Sequence, residues 1–104
     1  MGAHATGDIY AIVNIDLMPN EQVEGEKLLI AYLDQMKRDP NILRIGLIQQ
    51  VGGASNHFIL METFANEASY RRFIELVAVR RFRGVLYPYL GSPWDERLGR
   101  EVLP

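Results

Sequence analysis

The sequence predicts an α+β domain in which two helices cover one face of a four-stranded antiparallel sheet. Three observations lead to this prediction. Four short stretches have the apolar, β-branched composition of strands. Two longer stretches repeat apolar residues at helical spacing. The stretches follow the order strand, helix, strand, strand, helix, strand, which is the split βαβ or ferredoxin-like arrangement.

The first strand and the first helix are predicted in the first 40 residues. Residues 9–18, IYAIVNIDLM, are apolar and contain no breaker, and Pro19 ends the strand. Asn20 is a suitable helix cap, and apolar residues then recur at helical spacing as far as Met36. Pro40 ends the helix because the residue before a proline avoids helical backbone angles.

The middle of the chain predicts a β-hairpin. Residues 41–51, NILRIGLIQQV, and residues 57–65, HFILMETFA, have the composition of strands. The segment GGASN between them is rich in turn-forming residues. We therefore expect these segments to be the second and third strands, paired antiparallel.

A second helix should follow the hairpin. Asn66 is its predicted cap, and Tyr70 and Phe73 mark its buried face. The helical pattern continues through Leu86, with a break expected near Ala78. Residues 88–94 then read as irregular, and residues 96–102 as a weak fourth strand.

Length and composition indicate one domain. The chain has 104 residues, 48% of them hydrophobic, which is enough for a single globular core. We expect residues 1–8 to form a loose N-terminal leader. Residues 9–104 form the domain, including a C-terminal tail and strand at 88–104.

Charge and residue usage exclude several functions. Eleven basic and thirteen acidic residues nearly cancel, so we expect no nucleic-acid partner. Apolar runs are far shorter than the ~20 residues of a membrane-spanning helix, so we expect no membrane partner. The absence of cysteine favours a cytoplasmic protein. Two isolated histidines, His4 and His57, give no metal-ligand spacing, so no metal site is predicted.

Both faces of the predicted sheet are apolar. In the third strand Phe58, Leu60 and Phe64 point one way, and Ile59 and Met61 point the other. Two helices can cover only one face. The second face therefore predicts a homodimer in which two sheets pack together about a two-fold axis.

Three segments resemble the antibiotic biosynthesis monooxygenase family. They are IVNIDLMPNEQVEGEKLLIAYLDQMKRDPNILRIGLIQQ, FILMETFANEASYRRF and FRGVLYPYLGSPWDERL. The resemblance spans roughly residues 9–102. It implies a dimeric α/β barrel that oxidises small electron-rich aromatics or quinols with O₂. It also implies that the reaction uses no cofactor, because the substrate supplies the electrons.

The resemblance also suggests which residues form the site. Asn14 falls where pocket asparagines occur in some relatives, and Tyr70 where a pocket tyrosine occurs, so these two are the predicted catalytic residues. Phe64 stands at the family's tryptophan position, and Phe73 near a position where many members carry histidine. The alternative for Asn14 and Tyr70 is structural, since buried polar groups need hydrogen-bond partners in any fold.

The remaining predicted substrate-binding residues are Phe64, Phe73, Trp94 and His57. The only tryptophan of the chain, Trp94, lies in the tail, so we expect its side chain to line a pocket or to reach across the dimer interface. His57 opens the third strand and has the right chemistry for a base, or is simply exposed at the turn. Asp95, Glu96 and Arg97 are expected to form a structural ion cluster.

The sequence thus favours a cofactor-independent monooxygenase acting on a small aromatic molecule. One alternative is a binding or sensing dimer that keeps the pocket without catalysis. Another is a purely structural dimer whose pocket is filled by its own side chains. These alternatives remain open, because one fold supports many functions.

Overall fold

The computed structural model describes residues 7–103, so most of the predicted leader lies outside the described residues. The element order of the prediction is confirmed, and the second helical region is divided in two, with the break at residues 75–76 rather than near Ala78. The strands and helices are β1 (Ile9–Asp16), α1 (Gln22–Met36), β2 (Arg44–Gln49), β3 (His57–Phe64), α2 (Glu67–Ile74), α3 (Val77–Leu86) and β4 (Asp95–Gly99).

The four strands form one sheet in the order β2-β3-β1-β4, and all neighbours are antiparallel. The central strand β1 therefore pairs with β3 on one side and β4 on the other. With the helices, this is the predicted ferredoxin-like α+β fold. Among residues 7–103, no helix has the length and apolar character needed to cross a membrane.

The two faces of the sheet differ in burial. The helix face carries Ala11, Val13 and Ile15 of β1, opposite Glu62, Leu60 and Phe58 of β3, and these side chains are buried. The open face carries the alternate residues of the same strands, which are half-buried or exposed: Tyr10, Ile12, Asn14, Asp16, His57, Ile59, Met61 and Thr63. Alternation along each strand produces this division.

The helix caps follow the prediction at one helix only. Asn66 caps α2, and its side chain accepts a hydrogen bond from the backbone N–H of Ser69 at 2.8 Å. The predicted cap at Asn20 is wrong. A 3₁₀ turn, Pro19–Glu21, comes between β1 and α1, and α1 begins without a side-chain cap.

The tail doubles back along the end of β1. The backbone N–H of Met18 donates to the carbonyl of Tyr89 at 2.9 Å, and that of Gly91 donates to Asp16 at 2.7 Å. These bonds lead the chain into β4, which ends at Gly99, earlier than the predicted residue 102. The tail therefore brings Trp94 to the helix side of the sheet, where it packs against the core.

Candidate functional site

A cavity of about 510 Å³ opens between the helix face of the sheet, the helices and the tail. This volume is within the range of roughly 300–1,000 Å³ typical of small-molecule sites. Its walls combine three kinds of side chain: aromatic (Tyr32, Tyr70, Phe73, Trp94), carboxylic (Glu62, Glu75, Glu96) and guanidinium (Arg80, Arg83). Such a mixture suits an aromatic ligand that also carries polar groups.

Three predicted site residues line this cavity together. Tyr70 and Phe73 reach it from α2, and Trp94 reaches it from the tail. Phe64 lies in the core beside them, with its ring centroid 5.3 Å from Tyr70 and 5.1 Å from Phe73. Phe64 is fully buried, so it supports the two aromatic walls from behind.

Asn14 lies on the other side of the sheet. It stands on the open face, opposite Ile59 of β3 and Asp95 of β4. Asn14 and Tyr70, the two predicted catalytic residues, therefore lie on opposite faces of the sheet and do not share this cavity. The alternation of side chains along β1 explains the separation, because Val13 and Ile15 occupy the helix face on either side of Asn14.

His57 is also remote from the cavity. Its Nδ1 lies 2.5 Å from Oδ1 of Asp16 on the open face, and Oδ2 of Asp16 accepts a hydrogen bond from Ser92 at 2.8 Å. These two bonds, that from His57 first, hold the pKa of the Asp16 carboxyl below its usual value. The arrangement ties the tail to the ends of β1 and β3, so His57 does not stand where a cavity ligand would touch it.

The cavity contains a carboxyl group that the sequence analysis did not select. Glu62 lies in β3 on the helix face, between the buried positions of Leu60 and Phe64. The sequence does contain a signal for this residue. Every second residue from Phe58 to Phe64 faces the core, and Glu62 is the acidic residue that interrupts that apolar series. An acidic residue at a core position needs either a partner or a function.

Glu62 is nearly inaccessible to solvent, with 4% of its surface exposed. Burial, and secondarily the negative charge of Glu96, raises the pKa of Glu62 to about 8. Among residues 7–103, no side chain donates a hydrogen bond to its carboxyl group, and none of the buried polar side-chain atoms lacks a partner. The Glu62 oxygens therefore border the cavity, where a ligand can meet them.

Glu96 faces the same cavity from β4. Its Oε2 accepts a short hydrogen bond from the Tyr70 hydroxyl, and its Oε1 accepts one from Nε1 of Trp94 at 2.9 Å. The predicted ion cluster is therefore only partly correct. Asp95 and Arg97 do pair, at 3.3 Å, whereas Glu96 points to the opposite side of the strand.

Two tyrosines of the cavity are held in their neutral form. Burial, and then the hydrogen bond to Glu96, raises the pKa of Tyr70. Burial, and then the charge of Glu62, raises the pKa of Tyr32, which stacks on Phe82 with ring centroids 3.7 Å apart. Both hydroxyl groups therefore keep their protons at physiological pH.

The cationic part of the wall comes from α3. The Arg83 guanidinium lies over the Trp94 ring, 4.5 Å from its centroid, in a cation–π contact. Arg80 forms an ion pair with Glu75. Among residues 7–103, no cluster of histidine, aspartate and glutamate has the geometry to hold a metal ion.

Comparison with known proteins identifies the class of fold. No protein-family model matches the chain, and no curated protein matches it. A conserved protein from Methanosarcina mazei Go1 matches 97% of this chain and 99% of its own, with a TM-score of 0.86 and 13% identity. An antibiotic biosynthesis monooxygenase matches 91% of this chain and 99% of its own, with a TM-score of 0.82 and 14% identity.

A variant of SnoaB, a cofactor-independent oxygenase from Streptomyces nogalater, matches 94% of this chain and 96% of its own. The TM-score is 0.82 and the identity 10%. The chain therefore has the fold of the antibiotic biosynthesis monooxygenases, and the predicted structural resemblance is confirmed. At these identities the likeness establishes the fold, and the activity has to be argued from the site.

Proposed function

We propose that this protein is a cofactor-independent monooxygenase acting on a small aromatic substrate that carries an acidic hydroxyl group. The observation that carries the proposal is the position of Glu62. Its carboxyl group is buried, has no hydrogen-bond donor among the described side chains, and borders a cavity with aromatic walls. This is the arrangement expected of a general base that waits for its substrate.

The acidity of Glu62 suits that role. A general base works best when its pKa lies near the working pH, and the pKa of Glu62 is about 8. An ordinary glutamate is too weak a base to accept the proton of a phenol, because the phenol hydroxyl has a pKa of ~10. Burial makes Glu62 a stronger base without the help of a histidine.

The electrons for oxygen reduction come from the substrate. Loss of the hydroxyl proton to Glu62 leaves an aromatic anion, which is far easier to oxidise than the neutral phenol. When the ring system also contains a CH₂ group, that group and O₂ together yield C=O and H₂O. Carbon then gives up four electrons, O₂ accepts all four, and no external reductant is consumed.

The other cavity residues hold the substrate. Phe73 and Trp94 provide apolar walls, Tyr70 provides a polar contact, and Phe64 fixes the ring of Tyr70 from behind. A substrate that displaces water from between these walls strengthens the electrostatic interactions in the cavity. Asn14 and His57 lie on the open face, so the proposed reaction does not use them.

We also propose that the protein acts as a homodimer formed through the open face. Ile12 and Met61 stand opposite each other there and are 36% and 37% exposed, and Ile48 and Ile59 extend the apolar surface. Covering the exposed part of each such side chain contributes roughly 25 cal/mol per Å² of apolar surface removed from water. A second copy supplies a surface of matching shape and character.

The test is oxygen uptake by the purified protein with anthrone-like and quinol-like substrates. Uptake that depends on the substrate and falls in Glu62→Gln supports the proposal. A binding or sensing protein would instead bind the aromatic molecule without uptake in either form. That outcome would replace the proposed activity with the second function.

A further inference from the structure

Glu96 accepts hydrogen bonds from two cavity residues at once. Its Oε2 accepts the hydroxyl hydrogen of Tyr70, and its Oε1 accepts the N–H hydrogen of Trp94 at 2.9 Å. A tyrosine hydroxyl and an indole each have one hydrogen to donate. Neither residue therefore has a hydrogen left for a ligand.

The consequences differ between the two residues. The Tyr70 oxygen also carries lone pairs, so it remains an acceptor while its hydrogen points to Glu96. An indole nitrogen has no such capacity, so Trp94 meets a ligand only with its ring. The wall of the cavity formed by these side chains thus accepts hydrogen bonds and does not donate them.

We infer that Glu96 is a positioning residue that sets the ligand specificity of the cavity: by holding the hydrogen of Tyr70, it makes the site prefer an aromatic ligand with a hydroxyl group, separate from the one that Glu62 deprotonates, that donates to the Tyr70 oxygen. A ligand with only an acceptor at that place leaves two oxygen atoms facing each other. This deepens the proposed function, on which it rests, because it states which form of an aromatic molecule binds.

Donors do exist elsewhere in the cavity. Arg80 and Arg83 line it from α3, and Tyr32 lines it from α1. They can accommodate acceptor groups at other points of a ligand, and they do not change the chemistry at Tyr70. The preference for a donor hydroxyl therefore applies only at Tyr70, and the difference in binding free energy is that of one buried hydrogen bond.

The experiment compares two probes, para-propylphenol and its methyl ether, under anaerobic conditions. Both can accept a hydrogen bond, and only the phenol can donate one. Trp94 is the only tryptophan and lines the cavity, so its fluorescence reports binding of either probe without any turnover. We expect the phenol to bind roughly tenfold more tightly than the ether to the unmodified protein.

Two variants test the cause of that preference. In Glu96→Gln the new amide can donate to Tyr70, which frees the tyrosine hydrogen for the ligand, so the ratio of affinities should fall to about one. Tyr70→Phe removes the acceptor itself and should have the same effect. Glu101→Gln removes a charge from the exposed tail and should keep the tenfold ratio. Any penalty from the bulk of the methyl group cancels, because the same probes are compared in every protein.

The outcomes separate this inference from the proposed function. Equal affinities in the unmodified protein, or a ratio unchanged in Tyr70→Phe, overturn the inference and leave the oxygenase proposal standing. Failure of both probes to bind overturns the inference, whereas oxygen uptake with anthrone-like and quinol-like substrates still decides the proposed function. If Glu96→Gln does not fold, Tyr70→Phe still decides the question, since it keeps the ring that packs against Phe64.

Discussion

Glu62 and Glu96 extend from the same face of the sheet, on opposite sides of the central strand. Glu62 pairs with Ala11 across β3 and β1, and Glu96 pairs with Val13 across β4 and β1. Within the described part of the chain, Glu96 has two side-chain hydrogen-bond donors, Tyr70 and Trp94, and Glu62 has none. Two carboxyl groups thus share one cavity in different hydrogen-bonding environments, and the pKa of Glu62 is raised, a pattern typical of sites that move protons.

The first prediction concerns the proton on Glu62. Its pKa in the folded protein, about 8, lies above the ordinary value of 4.5, so between these values the folded state holds a proton that the unfolded state has lost. Stability should therefore fall as the pH rises from 4.5 to 8, by on the order of 5 kcal/mol from this group.

The measurement is denaturant unfolding of the unmodified protein and Glu62→Gln at several pH values. Other groups titrate in both proteins, so the difference between the two curves isolates Glu62. Glu62→Gln should gain stability relative to the unmodified protein as the pH rises, and the difference should level off above pH of about 8. Parallel curves would show that Glu62 titrates normally.

The second prediction concerns catalysis. Glu62→Gln keeps the size of the side chain and removes the base, so substrate-dependent oxygen uptake should fall roughly 100-fold or more. Binding of the substrate, followed through Trp94 fluorescence, should change much less. Glu101→Gln removes the same charge from an exposed position, and this variant should retain full oxygen uptake. Full activity in Glu62→Gln would remove this residue from the mechanism.

The third prediction links the two carboxyl groups. The charge of Glu96 contributes to the raised pKa of Glu62, although burial is the larger cause. In Glu96→Gln the rise of activity with pH should therefore move to lower pH, while remaining above the range of an exposed glutamate. A pH profile of kcat/KM shows this shift directly. A profile that moves to higher pH would contradict the electrostatic coupling.

The fourth prediction tests the homodimer. Ile12→Lys places a charge in the middle of the open face, so a dimer formed there should dissociate, because the buried charge would have no partner. Val23→Lys makes the same chemical change on α1, where the side chain is 67% exposed, and should leave the dimer intact. Sedimentation equilibrium at micromolar concentration distinguishes the two. A monomeric unmodified protein would remove the open face as an interface.

The fold could be predicted from the sequence because strand and helix patterns are local. Apolar, β-branched composition bounded by turn-forming residues predicts the strands, and Asn66 predicts the start of α2. The site was harder, because it depends on which face each strand residue occupies. The resemblance predicts Asn14 as a catalytic residue, whereas its own neighbours Val13 and Ile15 face the core and so place it on the open face. Glu62 interrupts an apolar series in β3, but the sequence alone does not show that its carboxyl group borders a cavity.

Glu96 shows a different limit of sequence reasoning. Its neighbours Asp95 and Arg97 suggested a surface ion cluster, and two of the three residues do form one. The partners of Glu96, however, are Trp94 and Tyr70, and Tyr70 is 26 residues away in the chain. Only tertiary structure brings that hydroxyl to the carboxylate. Long-range polar contacts of this kind carry no local pattern.

The last prediction concerns the packing that holds α1 against the sheet. A Cβ atom added to Gly25 would lie 2.8 Å from Cδ2 of Leu17, a fully buried side chain. Gly25→Ala should therefore lower the free energy of unfolding by about 1–3 kcal/mol through overpacking, against a gain of roughly 0.5–1 kcal/mol from helix propensity.

Gly84→Ala is the matched control for this change. Gly84 is also helical, and an added Cβ would meet no atom within 4 Å, so this variant should gain the propensity term, about 0.5–1 kcal/mol. Denaturant midpoints of the two variants should thus move in opposite directions. If Gly25→Ala were as stable as Gly84→Ala, Leu17 would have to relocate freely, and the close approach of α1 to the end of β1 would not be a constraint on the fold.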